Sequence, residues 1–466
     1  MSDYLPTIGL EIHAELSTAT KMFCNSKNDT GEKHPNVNIC PVCMGHPGTL
    51  PVINREAVRQ VLRVGVALEG KLGSYTEFDR KNYFYPDIPK GYQTSQYKYP
   101  LVSGGELAGI RLTRIHLEED TARSTHDKGD ESLIDFNRAG VPLMELVTEP
   151  VIHDAETAVS FAKELQLLLW YLKSSAANME KGEMRVEANV SVSPSTKLGV
   201  NSLGTKVEVK NLNSFKAVEK AIRYEVERQT ATLERGESVV QETRGWDENK
   251  EMTFSQRAKE ESHDYRYFPD PDLPKFFISE IKEFNYEKLK RTLPELPWEK
   301  RERYLKDLGL TEEVAELYTR DAERSQAIDD IAKLTSNKEE VKLASNYIAT
   351  DFATSQIAPD SILEIMRMII EETISSTSAK IILKELENEN GNPREIAKQK
   401  QLIQKSNIKE LEIIAEKIIK ENSKAVDEYK SGKLSSLQFL IGQAMKESNG
   451  GANPKILKEV FEKLLY

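Results

Sequence analysis

Ile8-Gly-Leu-Glu-Ile-His-Ala-Glu-Leu16 alternates strictly between two kinds of side chain. Ile8, Leu10, Ile12, Ala14 and Leu16 make one stripe, and Glu11, His13 and Glu15 make the other. A period of two belongs to an extended strand with one packed face and one open face. Three more segments repeat the pattern. Over 115–120 the polar stripe is His116, Glu118 and Asp120. Over 185–192 it is Arg185, Glu187, Asn189 and Ser191, set against Val186, Ala188, Val190 and Val192. Over 206–210 it is Lys206, Glu208 and Lys210, set against Val207 and Val209. If the four strands share a sheet, its open face gathers carboxylates and imidazole at several heights. Hard oxygen donors with an imidazole suit Mg²⁺, which in turn would hold nucleotide phosphates. A merely solvated sheet face alternates in the same way, so the pattern alone leaves both readings open.

Around these strands the first part of the chain mixes turns, strands and a few helices. Helices are predicted over Ala155–Leu172 and Phe215–Arg235, the second capped by Gly236, with a hairpin from Val239–Trp246 and Met252–Arg257 after it. No regular strand–helix–strand alternation occurs, which points to α+β with an antiparallel sheet. Beyond Pro294-Glu-Leu-Pro297 the pattern turns almost wholly helical, with a loop expected over Asn388–Pro393. The expected domains are therefore 1–293, 294–400 and 401–466.

The chain has 466 residues and a net charge of −11, which argues against nonspecific nucleic-acid binding by the whole surface. The sign is uneven. Residues 401–466 hold 11 Lys and 9 Asp or Glu, a local +2, and the remainder carries −13. A basic terminal module is thus the part suited to a phosphate backbone, with Lys433, Lys446 and Lys455 near helix ends and the flexible Gly450-Gly-Ala-Asn-Pro-Lys455 stretch. Three cysteines make no disulfide framework, and no signal peptide or spanning segment is visible; a cytoplasmic location is expected. The common phosphate-binding loops, the dinucleotide fingerprint and the nucleophile elbow are all missing, so any ATP is held by other means.

Two further stretches carry chemistry. Phe78–Gln96 is an irregular loop rich in Arg80, Lys81 and Lys90, suited to phosphate, and in Tyr83, Tyr85 and Tyr92, which offer stacking faces. Cys24, Cys40 and Cys43 include a zinc-knuckle half, Cys40-Pro-Val-Cys43. A structural zinc takes four ligands. His34 is a conceivable fourth, since position 26 is Ser. Asp264–Pro274 reads as a proline-stiffened connector.

Taken in order, these motifs resemble the GatB family, a component of bacterial aspartyl/glutamyl-tRNA amidotransferases. The resemblance rests on Gly9-Leu-Glu-Ile-His13, Cys40-Pro-Val-Cys43, Phe78–Gln96, His116-Leu-Glu-Glu-Asp120, Ala188-Asn-Val-Ser191, Lys210-Asn-Leu-Asn-Ser-Phe215, Gln241-Glu-Thr-Arg244, Asp264–Pro274 and the terminal Ala452-Asn-Pro454. It implies an antiparallel-sheet cradle domain, a helical domain and a small YqeY-like tail that grips tRNA. It implies ATP and Mg²⁺ as cofactors, phosphorylation of the side-chain carboxylate of Glu-tRNA(Gln) or Asp-tRNA(Asn), and amidation by ammonia. The implied partners are an amidase-type glutaminase, a small third protein that completes a heterotrimer, and the misacylated tRNA, without membrane or DNA. On this resemblance Glu11, His13, Glu118, Glu187 and Glu208 are the expected catalytic and Mg²⁺-holding face. Arg80, Lys81, Tyr83, Lys90, Lys206 and Asn211 are expected to meet ATP or the acyl-tRNA. Glu119 falls on the packed side of its strand unless a strand end or a bulge brings it in. The chain departs from the family pattern at Cys24-Asn-Ser26, where Cys-x-Cys is common, which puts structural Zn²⁺ in question, and at Val186-Glu187, where Cys-Asp is common. A two-metal hydrolase acting on RNA and a noncatalytic tRNA-binding scaffold are the competing readings of the same residues.

Overall fold

The computed structural model describes residues 4–128, 131–194, 203–258, 265–350, 357–389, 391–404, 408–448 and 451–465. Asp264, Asn390 and Gly450, within stretches singled out in the sequence, lie outside them. The chain divides into two compact units, Met1–Leu296 and Pro297–Tyr466.

The first unit is built on one large sheet. Its strands and their neighbours are β1 (Tyr4–Glu15), β2 (Asp79–Asn82), β3 (Tyr92–Ser95), β4 (Ile110–Glu119), β5 (Pro142–Thr148), β6 (Met184–Pro194), β7 (Val207–Leu212), β8 (Glu242–Asp247) and β9 (Met252–Ala258). The order across the sheet is β9-β8-β7-β6-β1-β5-β4, extended at the far edge by Val102–Ser103 and Lys71–Leu72. β2 and β3 pair separately, with Phe268–Pro269 on their outer edge. The long alternating strands occupy the middle, where each has two partners. One departure from the sequence reading concerns pairing. β7 and β8 run parallel, because the connection between them is helix α3 rather than a tight turn.

Three helices serve this sheet. The α1 helix (Arg55–Ala67) went unrecognised in the sequence. It starts at Asn54, whose side chain accepts from the Glu56 and Ala57 amides while its Nδ2 donates to the Thr20 and Lys21 carbonyls. The α2 helix (Ala155–Leu172) is capped by Asp154, and α3 (Phe215–Glu234) by Ser214. Leu165, Leu168 and Leu172 of α2, with Val218 and Ile222 of α3, are buried alongside Ile8, Leu10, Ile12, Val186, Val190 and Val209 of the sheet. The apolar stripe of each central strand therefore packs, and the opposite stripe is left for other work.

A buried polar knot ties α3 to the β8–β9 hairpin. Glu225 is fully buried in the middle of α3 and accepts from Arg228 (2.6 Å) and Thr253 Oγ1 (3.0 Å). Arg244 Nε lies 3.6 Å from the same carboxylate and donates to Thr253 Oγ1 at 2.8 Å.

The second unit is helical throughout its described residues, from Pro297–Lys306 to Pro454–Leu465. It holds two apolar clusters. One gathers Tyr304, Tyr318, Ile348, Met366 and Ile382. The other gathers Leu411, Leu440, Leu457 and Phe461. Part of the loop expected over Asn388–Pro393 starts a helix instead. Asn392 caps Pro393–Gln399 through the Arg394 and Glu395 amides, and proline at the first helical position costs nothing because no amide is needed there. No described helix is long and apolar enough to cross a membrane.

Candidate active site

Strand register decides which acidic residues meet. Glu187 of β6 sits opposite Glu11 of β1, and His13 lies opposite Arg185 on one side and Glu145 on the other. Glu145 of β5 is opposite His116 of β4, and Asn189 of β6 is opposite Glu208 of β7. Paired residues share a face, and so do residues two apart along a strand. Glu11, His13, Glu118, Glu145, Glu187 and Glu208, from five strands, therefore project from one side of the sheet. All six line a single cavity of 850 Å³, with Lys81, Tyr83, Tyr85, Arg185, Lys210 and Tyr265 among its walls.

The six donors fall into two groups. In one, carboxylate oxygens of Glu11, Glu187 and Glu208 lie within 4.8 Å of one another. Lys210 Nζ is 2.9 Å from Glu187 and 3.5 Å from Glu208. Burial alone would lower the Lys210 pKa, yet Glu187 and Glu208 hold it well above the ordinary lysine value. Asn189 donates to Glu11 at 2.7 Å, and its buried Oδ1 has no hydrogen-bond partner. The three carboxylates together are a hard-donor set suited to a divalent cation.

In the other group, His13 Nε2 is 3.3 Å from Glu118 and 3.4 Å from Glu145, and His116 Nε2 is 3.3 Å from Glu145. Burial opposes charge on His13, but Glu118 and Glu145 outweigh it and hold the imidazole pKa well above the usual value. Glu145 is held well below the carboxylate range: burial pushes it up, and His116 and His13 pull it down further. Without a metal, a proton on His13 offsets one of the two carboxylate charges of this group. A divalent cation takes the imidazole in its neutral form and displaces that proton.

The remaining candidates are distributed unevenly. Lys81 and Tyr83 do line the acidic cavity. Lys81 Nζ lies 4.9 Å from the Tyr265 ring centroid and 5.8 Å from that of Tyr83. Burial would lower its pKa, yet surrounding negative groups, Glu118 first among them, raise it. Arg80 and Lys90 are elsewhere. Arg80 pairs with Asp270 (3.0 Å) and Asp272 (2.7 Å), and its guanidinium covers the Tyr92 ring at 4.3 Å. Lys90 pairs with Glu119, which also accepts from the Thr94 amide at 2.9 Å. Glu119 thus stays on the packed side of β4, and no bulge turns it. Arg80, Lys90, Tyr92 and Glu119 line a different cavity, of 220 Å³, with Cys24 and Cys43. Lys206 is exposed just before β7, and Lys210 holds the position by the carboxylates that Lys206 was expected to fill. Asn211 is exposed with a φ of 64°, at the irregularity in the β6–β7 pairing, so its part is in the backbone. In the second unit, Lys433 pairs with Glu428 and Lys455 with Glu372, while Lys446 is exposed in the last turn of its helix.

Cys24, Cys40 and Cys43 come together, with sulfur atoms within 4.8 Å of one another. His34 is not with them: it is exposed and pairs with Glu32. The neighbours of Cys43 are instead Ser26 Oγ at 3.9 Å and the buried Lys21 Nζ at 3.8 Å. Hydrogen bonds from Cys24 and the Cys40 amide, with Lys21 nearby, draw the Cys43 thiol down to about 5. Three thiols with an ammonium against one of them are an incomplete match to a four-ligand structural zinc site.

Glu145, Asn189 and Lys210 belong to the site although the sequence reading gave them no role in it. Glu145 hid in Pro142-Leu-Met-Glu-Leu-Val-Thr148, which is almost continuously apolar. The available signal was the lone carboxylate in a strand buried on both sides.

Two family models match the chain. One, described as the GatB/GatE catalytic domain, covers residues 6–282, and a second, described as the GatB domain, covers residues 326–465. The chain belongs to the GatB family. Curated relatives agree along its whole length. A protein of Caldanaerobacter subterraneus subsp. tengcongensis is 43% identical, with 99% of each chain aligned. One from Crocosphaera subtropica is 41% identical over 100% of this chain and 98% of its own. One from Thermotoga maritima is 42% identical over 99% of both. Each is named as an aspartyl/glutamyl-tRNA(Asn/Gln) amidotransferase subunit of the B type. The first model spans all six donors of the acidic cavity.

Proposed function

We propose that this chain is the component of a tRNA-dependent amidotransferase in which ATP activates the side-chain carboxylate of Glu-tRNA(Gln) or Asp-tRNA(Asn) for attack by ammonia. The observation that carries this reading is the convergence of six metal-type donors from five strands in one 850 Å³ cavity. A carboxylate is a poor electrophile. Transfer of the γ-phosphoryl group to one of its oxygens gives an acyl phosphate and ADP. Ammonia then attacks the carbonyl carbon, phosphate leaves with the bonding pair, and a proton is lost from nitrogen to give the amide.

Such chemistry demands charge neutralisation and positioning more than covalent help from the protein. Glu11, Glu187 and Glu208 would hold one Mg²⁺, and His13, Glu118 and Glu145 a second. Mg²⁺ held there supplies neutralisation of phosphate oxygens. Lys81, kept cationic between two tyrosine rings, faces the same space and suits a phosphate or carboxylate oxygen. Zn²⁺ at the three cysteines is not needed for any of this. The proposed partners are an amidase-type glutaminase, which supplies ammonia, a small third protein of the heterotrimer, and the misacylated tRNA, met in part by Lys433, Lys446 and Lys455 in the cytoplasm. Conversion of Glu-tRNA(Gln) or Asp-tRNA(Asn), with ammonium chloride in place of glutamine and strictly dependent on ATP, is the expected result in the assembled enzyme. Mg²⁺-dependent RNA cleavage without ATP would favour the hydrolase reading instead.

A further inference from the structure

We propose that Tyr85 is the platform on which the terminal nucleobase of the aminoacylated RNA stacks. This rests on the function proposed above. Tyr85 lines the acidic cavity and is 54% exposed, which puts its ring at the mouth. It is braced from within. The Tyr83 ring meets it edge-on at 6.0 Å and 65°, and Tyr265 braces Tyr83 at 5.9 Å and 69°. The loop backbone beneath is fixed by Ile88 N–H to the Tyr85 carbonyl (3.0 Å), Gly91 N–H to the Ile88 carbonyl (3.1 Å) and Ala122 N–H to the Asp87 carbonyl (2.9 Å). Next to it, Phe84 is 87% exposed and lies across the turn at Gly91. A side chain at position 91 would meet the Phe84 ring at 3.1 Å on a backbone already at φ 71°. One half-open aromatic ring, that of Tyr85, thus lines a cavity whose other walls are mostly charged or polar, with Phe84 exposed beside it in sequence. Single exposed apolar residues are common, but a braced, half-open ring at a cavity mouth is suited to stacking.

The choice of occupant follows from charge and connectivity. The charged groups sit within the cavity, so an aromatic ring at its lip is placed to engage an uncharged part of the substrate. In an aminoacylated RNA end that part is the nucleobase, separated from the reacting carboxylate by the amino-acid backbone, the ester and the ribose. The rest of the RNA stays outside, so its last nucleotide must cross the lip. ATP carries a purine as well, but it has no chain leading out and can lie wholly within the cavity. Stacking on a tyrosine face tolerates any base, so this contact adds affinity without reading sequence.

The test uses the assembled enzyme with ammonium chloride as nitrogen donor, comparing wild type with Tyr85→Phe, Tyr85→Leu and Tyr85→Ala. Stacking losses of this type correspond to about a 5- to 150-fold weaker interaction. The KM for aminoacyl-tRNA should rise within that range for the Ala and Leu variants and stay near wild type for Phe. The KM for ATP and the kcat at saturating tRNA should hold in all three. Leu keeps the apolar bulk and so separates stacking from loop packing. An unchanged tRNA KM in Tyr85→Ala, a rise confined to the ATP KM, or a Phe variant as impaired as Ala would each overturn the proposal. A wild-type enzyme that does not amidate would instead remove the underlying function.

Discussion

Two clusters in the first unit have the look of metal sites, and they are built differently. The acidic cluster draws its donors from five neighbouring strands, where register fixes their spacing, and it holds an orphaned carbonyl oxygen at Asn189. The cysteine cluster draws three thiols from loops and lacks its conceivable fourth ligand; both clusters keep an ammonium nearby, Lys21 against Cys43 and Lys210 against Glu187 and Glu208, so the difference lies in the donors. A sheet can preorganise a cation site through cross-strand pairing, whereas a loop site depends on a full ligand count to define itself. On the proposed function, the chemistry is therefore assigned to the strands rather than to the cysteines.

The largest expected effect tests that assignment directly. Glu187→Ala removes a donor from a group of three and should lower ATP-dependent amidation by roughly 10²- to 10³-fold, as expected for losing a preorganised electrostatic contact. Cys43→Ser should leave kcat close to wild type. Similar kcat losses from the two substitutions would erase the distinction.

A smaller effect concerns how the acidic side is supported. Glu225 anchors the hairpin that contributes Thr243 and Gln256 to the cavity wall. Truncating one partner of a buried, charged network typically costs about 3–5 kcal/mol. Glu225→Ala should lower stability by that order in denaturant unfolding, with Arg228 and Arg244 left facing an apolar gap. A loss below about 1 kcal/mol would mean the hairpin is held by other contacts.

The smallest effect is a pH slope at the end of β1. Burial, with Asp120 adding repulsion, pushes Glu15 up from the ordinary carboxylate value to about 7, while Arg138 and Arg185 pull it back only in part. Here the folded chain binds the proton more tightly than the unfolded one. The stability due to this group is complete below pH of about 4.5 and is lost as pH rises towards 7, by at most about 3 kcal/mol. Glu15→Gln should flatten that slope and leave the variant more stable than wild type near pH 8. Parallel stability profiles for the two proteins would show that Glu15 ionises without cost.

Much of this could be read from the residues. Period-two stripes located Glu11, His13, Glu118, Glu187 and Glu208 on one face, because alternation is a property of single strands. What alternation could not supply was adjacency. The pairing of β5 between β1 and β4 brings in Glu145, and its link to β1 joins residues more than a hundred positions apart. The cations were harder still. Arg80, Lys81 and Lys90 lie within one stretch expected to be an irregular loop, but Arg80 and Lys81 are on β2, which sends them to opposite sides, and Lys90 is in the connection to β3; only Lys81 enters the acidic cavity. The α1 helix carried local signals that the sequence reading did not use: Asn54 caps it through the Glu56 and Ala57 amides, and Ala57, Val58, Val61, Leu62 and Val64 form its buried side.

The most direct test of the central claim is calorimetric titration of ATP into the assembled enzyme, with and without Mg²⁺, for wild type and for Glu11→Gln combined with Glu187→Gln. Tight ATP binding that requires Mg²⁺ and disappears in the double variant is the predicted result. ATP binding of equal strength without Mg²⁺, or undiminished in the double variant, would contradict it.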